Sequence, residues 1–477
     1  MTLCFLYITF LIAVKKIKEG CILVIMLKFF KEPEEKEVIQ DKEKVDKMYK
    51  NYRWKIMFYG YLAYVVSYVG RKNLSIATPS ICASLGWTNE NIGTVSSAFY
   101  LTYGVGKFIN GLLADRSNVR TFFSTAFICV AIASFCFAFA ANFFAPGTAL
   151  LYALCFLWGV NGWCQSMTFP PIAKSLTYWF TNSERGIRWS IISSSHQVGV
   201  VFAGIIANLA IGQFGWQSAF YTPAIISALV GILIFTQLRD KPTSLGLPTI
   251  EEYKGEIKSS GNAEGKAKNQ EGETNYFKTF FKHILCNPLV WLLILCYVGN
   301  YVIRTGTEDW LVRYFVDHGD SLAAATSKIV ILSSIGIAGS IIGGLISDKV
   351  FKGKRTPVNL ILLCCLAAAL FLFATNPAKS KIFELIYVSV IGMCTAGLQS
   401  LIGLCIVESC SKSVASSANG FAGMFSYIGA SIAAIGTGRM IDTFGWNGAF
   451  IFWEIAAVLA IIFNLIAMPM ENKLKSR

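Results

Sequence analysis

The chain has 477 residues, of which 54% are hydrophobic, 14% aromatic and only 15% charged, with a mean hydropathy of +0.54. That balance excludes a soluble enzyme built on one core and defines an integral membrane protein. The net charge of +14, from 42 Lys and Arg against 28 Asp and Glu, does not mark a nucleic-acid binder, because the basic residues fall in short loops between apolar runs.

In chain order, Met1 to Val14 is apolar but short for a span, and the basic cluster at 15–18 follows it. A secretory signal carries its charge before the apolar region, so this is not one. The expected native start is Met26, which leaves residues 1–25 untranslated in the cell; N-terminal sequencing that begins at Met1 would refute this. Residues 31–53 are dense in Lys and Glu and read as a solvated lead-in, completing an N-terminal segment over 1–53. Apolar stretches of bilayer length then follow at 54–79, 91–113, 121–142, 148–170, 189–212 and 217–238. Residues 239–283 are rich in Lys, Glu, Gly, Ser and Asn and read as a flexible linker. Six more stretches lie at 284–306, 326–347, 357–375, 383–407, 414–437 and 447–469, with a tail over 470–477. The expected fold is therefore all-α, with twelve transmembrane helices in two six-helix bundles over 54–238 and 284–469.

Loops at 115–120, 174–188, 348–355 and 473–477 are basic and share one side, while 80–90, 143–147 and 213–216 carry almost no Lys or Arg. Lys379 and Lys381 dissent from this pattern. The bias places both termini in the cytoplasm of a multi-pass cell (inner) membrane protein. The Pro170-Pro171 pair is expected to end and kink the fourth span. Fourteen cysteines show no metal-ligand spacing and read as small packing residues. There is no P-loop, zinc constellation, nucleotide-binding glycine pattern or Ser/His/Asp set, so neither catalysis nor a cofactor is expected.

The bundles are copies of each other. Tyr68 and Arg71 recur 233 residues later as Tyr301 and Arg304, and Gly111 to Arg116 recurs at the same offset as Gly344 to Lys349. Phe-Gly-Trp-Gln-Ser-Ala-Phe at 214–220 returns, 230 residues on, as Phe-Gly-Trp-Asn-Gly-Ala-Phe at 444–450. Halves related by an axis along the membrane normal bring equivalent positions face to face, so Arg71 and Arg304 are expected to meet. Tyr64, Tyr68 and Arg71 are spaced to share one helix face. A lone arginine at a span end reads as a snorkelling side chain, but matched arginines at equal depth in both halves point to a shared anion site. Guanidinium stays charged when buried and grips phosphate or carboxylate oxygens two at a time. Two such charges match a phosphate monoester. An empty site would leave both unpaired in low dielectric, so the unloaded carrier should cross slowly and exchange of one phosphate-bearing solute for another should be obligatory.

His196 reads either as a packing residue or as a third phosphate donor, and Lys107 as a snorkelling residue or an auxiliary cation. Lys72 and Asp309 read as helix-end pairing residues. Asp115, Arg116 and Arg120, with Asp348 and Lys349, belong to loops expected to gate the opening by bridging helix ends.

These features sit within longer matches: Arg-Lys-Asn at 71–73, Tyr-Gly-Val-Gly-Lys-Phe at 103–108, Ala-Asp-Arg-Ser-Asn-Val-Arg at 114–120 and Ser-Glu-Arg-Gly at 183–186. Others are Arg-Asp-Lys-Pro-Thr-Ser-Leu-Gly-Leu-Pro at 239–248, Glu-Glu-Tyr-Lys at 251–254 and Ala-Gly-Met-Phe-Ser-Tyr-Ile-Gly-Ala at 422–430. From about Tyr52 to Asn472 the chain resembles the organophosphate:phosphate antiporter family of the major facilitator superfamily. The resemblance puts that family's phosphate-gripping arginines on Arg71 and Arg304, its site histidine on His196, its second-span lysine on Lys107 and its site tyrosines on Tyr64, Tyr68 and Tyr301. It implies exchange of inorganic phosphate for a phosphate ester such as glycerol 3-phosphate or a hexose 6-phosphate, by a monomer in the bilayer. Three positions depart from the family pattern: Lys174 in the Phe169 to Lys174 stretch, Ser333 in place of a glutamate, and Ala396 in place of an aromatic. Two alternatives stand beside exchange. One is a membrane sensor of sugar phosphate that signals to a kinase; the other is a proton-coupled organic anion carrier. The latter needs a deep acidic residue, and Glu308, Glu384 and Glu408 are expected near span ends, which leaves Glu454.

Overall fold

The computed structural model describes residues 30–115, 117–255, 284–375, 380–410 and 415–475. The expected start at Met26 with the 25 residues before it, Arg116, Lys379 and the linker beyond Gly255 lie outside the described residues. In the first half run α1 (Lys42–Leu85), α2 (Asn89–Asp115), α3 (Val119–Ala140), α4 (Thr148–Ser166), α5 (Phe169–Trp179), α6 (Asn182–Phe214), α7 (Ser218–Gln237) and the short α8 (Ile250–Tyr253). The second half holds α9 (Pro288–Asp317), α10 (Leu322–Lys349), α11 (Thr356–Thr375), α12 (Lys381–Glu408) and α13 (Ala415–Lys475).

The span labelled α13 is two helices end to end, because Gly445 breaks it with φ 66° and ψ −167°. The chain turns back there, since Trp453 Nε1 donates to Thr437 Oγ1 at 2.9 Å. Gly215, in the equivalent turn of the first half, has φ 78° and ψ 175°. The repeated Phe-Gly-Trp is thus a repeated backbone requirement, a positive φ that only glycine adopts without strain. With α13 counted as two spans and the short α5 and α8 set aside, each half contributes six, for twelve in all. Among the described residues eight helices, α13 counted once, are long and apolar enough by themselves to cross a bilayer. The other three, α1, α2 and α4, are those that carry Arg71, Lys107 and Gln165.

An even number of spans returns both ends of the described chain, residues 30 and 475, to one face. On that face the structure departs from the sequence reading in four places. Residues 42–53 are not a solvated lead-in: α1 is one helix of 44 residues, about 66 Å long at 1.5 Å per residue, and it buries Val45 and Tyr49. Residues 239–255 are not free linker. Leu247 and Ile250 are buried, Tyr253 stacks on Tyr49 with ring centroids 4.1 Å apart, and Thr249 and Glu252 form a capping box on α8. The prolines do not kink the fourth span either. That span ends at Ser166, and Pro170 and Pro171 open α5, where proline's missing N–H costs nothing. Lastly, Glu471, assigned to the tail, is buried and its carboxylate caps α11 by accepting from the backbone N–H of Arg355 and of Thr356, each at 2.9 Å.

The segment before α1 is pinned by Glu32, which accepts from Lys174 Nζ at 2.5 Å and Lys241 Nζ at 2.6 Å. Partial burial alone would raise its pKa, but the hydrogen bonds and charges of Lys174 and Lys241 hold it below the ordinary value of 4.5. A carboxyl depressed on folding stabilises above its unfolded pKa, and that contribution is lost as pH falls through the folded value. Hydrogen exchange should therefore find residues 30–41 protected at neutral pH and less so below pH 4.5. Glu32→Gln should release them at neutral pH.

Against the opposite face, away from the chain ends, the two halves close on each other. Ser97 and Ser431 hydroxyls meet at 2.6 Å. The Asp442 carboxylate accepts from the backbone N–H of Asn89 at 3.1 Å and of Glu90 at 2.7 Å, capping α2 from the other half. Asn208 Nδ2 reaches Thr326 Oγ1 at 3.2 Å. A Cβ on Gly93 would lie 2.3 Å from the carbonyl oxygen of Ala434, so the backbones touch.

Candidate functional site

Between the halves lies a cavity of about 540 Å³. From α6 it is lined by Trp189, His196 and Gln197, from α9 by Arg304 and Glu308, and from α10 and α12 by hydroxyls and amides including Ser333, Ser340 and Gln399. Trp189 and Ile341, which lie toward the chain-end side of their helices, also line it, so the cavity extends away from the sealed face.

Arg71 is 8% exposed and is held by a chain of buried amides. Its Nε donates to Gln165 Oε1 at 3.2 Å. Gln165 Nε2 donates to Asn161 Oδ1 at 2.8 Å, and Asn161 Nδ2 to Ser134 Oγ at 2.7 Å. The guanidinium carbon sits 4.4 Å from the Tyr103 ring centroid and 4.6 Å from that of Tyr68, a cation–π pair of contacts. Among the described residues no carboxylate pairs with Arg71, and its Nη2 is buried without a hydrogen-bond partner.

Arg304 is arranged differently. Its Nε donates to Glu308 Oε1 at 2.9 Å. The expectation that both arginines lack a counter-charge therefore holds for Arg71 and fails for Arg304. The apolar run ends at 306, which by sequence puts Glu308 near a span end. Helix α9 instead runs to Asp317 and buries Glu308. The other oxygen of Glu308 accepts from Lys72 Nζ at 2.8 Å, as does Asp309 Oδ1 at 2.8 Å. Lys72 and Asp309, read as helix-end residues, thus join the two halves. Tyr100 also hydrogen bonds to Asp309.

Arg71 and Arg304 do not both line the cavity: Arg304 and His196 do, while Arg71 lies one ring behind the wall. Tyr68 packs on His196 with ring centroids 4.4 Å apart and on Tyr64 at 5.3 Å. A second path runs from Arg71 through Tyr103, Tyr427 and Tyr301 to Arg304, with Tyr103–Tyr427 at 4.6 Å, Tyr427–Tyr301 at 5.6 Å and the Arg304 guanidinium 5.8 Å from the Tyr301 centroid. Lys107 Nζ stands 5.6 Å from the Tyr427 ring. His196 Nε2 is buried with no partner among the described residues, and so is free to donate or accept.

Sequence reasoning missed Glu308, Gln165, Tyr103 and Tyr427. Glu308 was detectable, since it stands four residues after Arg304. Tyr103 and Tyr427 lay inside matched motifs without an assigned role. Of the departures, Ser333 and Ala396 line the cavity, whereas Lys174 bonds to Glu32 and to the carbonyls of Ala114 and Ser117 at the chain-end face. Glu454 does not line the cavity, while Glu384 pairs with Lys328 and Glu408 with Arg355. Asp348 pairs with Arg355 of its own half at 2.5 Å. Arg120 lies over Phe235, 4.1 Å from its ring centroid. Asp115 and Lys349 are exposed at helix ends on the chain-end face.

A twelve-span bundle of two similar halves around a central polar cavity defines a membrane carrier rather than an enzyme. Residues 60–434 match the Major Facilitator Superfamily. The chain is 34% identical over 444 residues to a probable hexose phosphate transport protein of Chlamydia muridarum, covering 92% of this chain and 96% of that one. It is 33% identical over 449 residues to the membrane sensor protein UhpC of Escherichia coli K12, covering 94% and 98%. Among solved structures, an inward-facing, unoccupied bacterial homologue of the human lysosomal transporter Spinster superposes with a TM-score of 0.67 at 16% identity, covering 88% of this chain and 96% of that one. The chain belongs to the Major Facilitator Superfamily and, within it, to the organophosphate:phosphate antiporter family that its motifs resemble.

Proposed function

We propose that the protein exchanges a phosphate ester, of the hexose 6-phosphate or glycerol 3-phosphate class, for inorganic phosphate by alternating access. The observation that carries this reading is the buried Arg71 guanidinium, which among the described residues has no carboxylate partner and an unbonded Nη2, two ring contacts from a cavity that holds Arg304. Burying an unpaired cation costs roughly several kcal/mol even after relaxation. A phosphate monoester, with roughly one and a half to two negative charges at neutral pH, supplies what Arg71 lacks. The empty carrier should then cross slowly and the loaded one readily. Arg71 and Arg304 grip the phosphate, with His196 and Lys107 as further donors, while Tyr64, Tyr68 and Tyr301 shape its approach. Loop charge puts the chain-end face in the cytoplasm, so the state described opens inward. Asp115, Arg120, Asp348 and Lys349 bridge helix ends at that face when it closes.

Purified protein in phosphate-loaded liposomes, challenged with a panel of phosphate esters, tests this. Uptake that requires internal phosphate is the expected result; equal uptake into phosphate-free liposomes would contradict exchange. Similarity to a sensor gives the second reading its place, and binding of an ester without turnover would favour it.

A further inference from the structure

We infer that Glu308 is a tethered counter-anion that competes with the ligand's phosphate for Arg304 and thereby sets how tightly the cavity binds. The inference rests on the phosphate-ester reading of the cavity. Glu308 and Arg304, four residues apart, share one face of α9. Glu308 lines the cavity beside Arg304 and is 7% exposed. Its Oε1 lies 2.9 Å from Arg304 Nε and its Oε2 2.8 Å from Lys72 Nζ.

A carboxylate and a phosphate offer a guanidinium the same thing, oxygens that accept from parallel N–H groups. A phosphate that grips the edge of Arg304 containing Nε must displace Glu308 Oε1. One that takes only the terminal nitrogens must share the cation with a like-charged neighbour. Binding works against Glu308 in both poses. Arg71 offers no such obstacle, because its acceptor is the neutral amide of Gln165. The halves therefore present unequal arms, one unoccupied and one already holding an anion.

Glu308 is also the carboxylate that can leave. Lys72 keeps Asp309 at 2.8 Å when Glu308 moves. Asp309, by contrast, is also bonded by Tyr100, and its carbonyl accepts from Ser75 Oγ at 2.6 Å. Displacing Glu308 frees Arg304 without leaving the lysine at the sealed face unpaired.

The test is binding of inorganic phosphate to the purified full-length protein by titration calorimetry. Glu308→Gln keeps the shape and removes the charge, and should bind phosphate about tenfold or more tightly than the parent, the scale of one hydrogen bond to a charged group. Should that variant fail to fold, Glu308→Asp decides in its place: the shorter arm loosens the contact with Arg304, and binding should tighten by a smaller factor. Unchanged or weaker binding in the deciding variant, with Arg304→Lys still losing phosphate, would make Glu308 a brace for Arg304 and overturn the inference. If Arg304→Lys bound phosphate like the parent, the reading of the cavity itself would fall, and the inference with it.

Discussion

Arg71→Lys should lower phosphate exchange in proteoliposomes about a hundredfold or more, the scale of losing two charged hydrogen bonds to one ligand. Arg304→Lys should do the same. Lysine keeps the charge, so the loss would measure geometry. An ammonium presents a point charge where a guanidinium presents a planar fork. At position 71 lysine also gives up the guanidinium's cation–π contacts with Tyr68 and Tyr103 and the directed bond to Gln165. At position 304 it gives up the bond from Nε to Glu308. Exchange within a few-fold of the parent in either variant would count against a grip shared by two arginines.

The second large effect concerns closure. Gly93→Leu should abolish exchange and hold the halves apart at the sealed face. At this position even a Cβ would meet the Ala434 carbonyl oxygen at 2.3 Å, and backbone cannot yield as a flexible side chain can. By the proposed alternating access the clash exists only while the halves are closed there, so the substitution should act on one state of the carrier rather than on the fold. Spin-label distances across that face should lengthen in Gly93→Leu. Gly111→Ala serves as the control, since a Cβ there meets nothing. Unchanged distances together with normal exchange in Gly93→Leu would show that the two states do not differ by separation at this face.

Much of the architecture was legible because the membrane makes it so. Twelve stretches of bilayer length and a 233-residue offset predict two similar bundles, and the repeated Phe-Gly-Trp marks turns whose glycines share one backbone conformation. The arginines were legible for the same reason, since a charge inside an apolar run is conspicuous. What stayed hidden was a charge beside another charge. Glu308 lies next to Asp309, and two acids together read as the end of a span. Lys72 in one half and Arg304 in the other are what let Glu308 be buried. Reading α1 from Trp54 failed in a related way, because Val45 and Tyr49 are apolar positions set among lysines and glutamates, and their partners Trp179 and Tyr253 lie far along the chain. A proline pair interrupts a helix, so Pro170 and Pro171 read as a stop; the same residues equally suit the first turn of the next one. Tyr103 and Tyr427 carried no signal of their own, as a tyrosine within an apolar run is ordinary until its neighbour is a guanidinium.

A structure of the protein determined with inorganic phosphate bound tests the central claim most directly. One phosphate should lie between the two halves, with oxygens about 3 Å from guanidinium nitrogens of both Arg71 and Arg304. Phosphate held by one half alone, with the other arginine still turned to its present neighbours, would contradict the account.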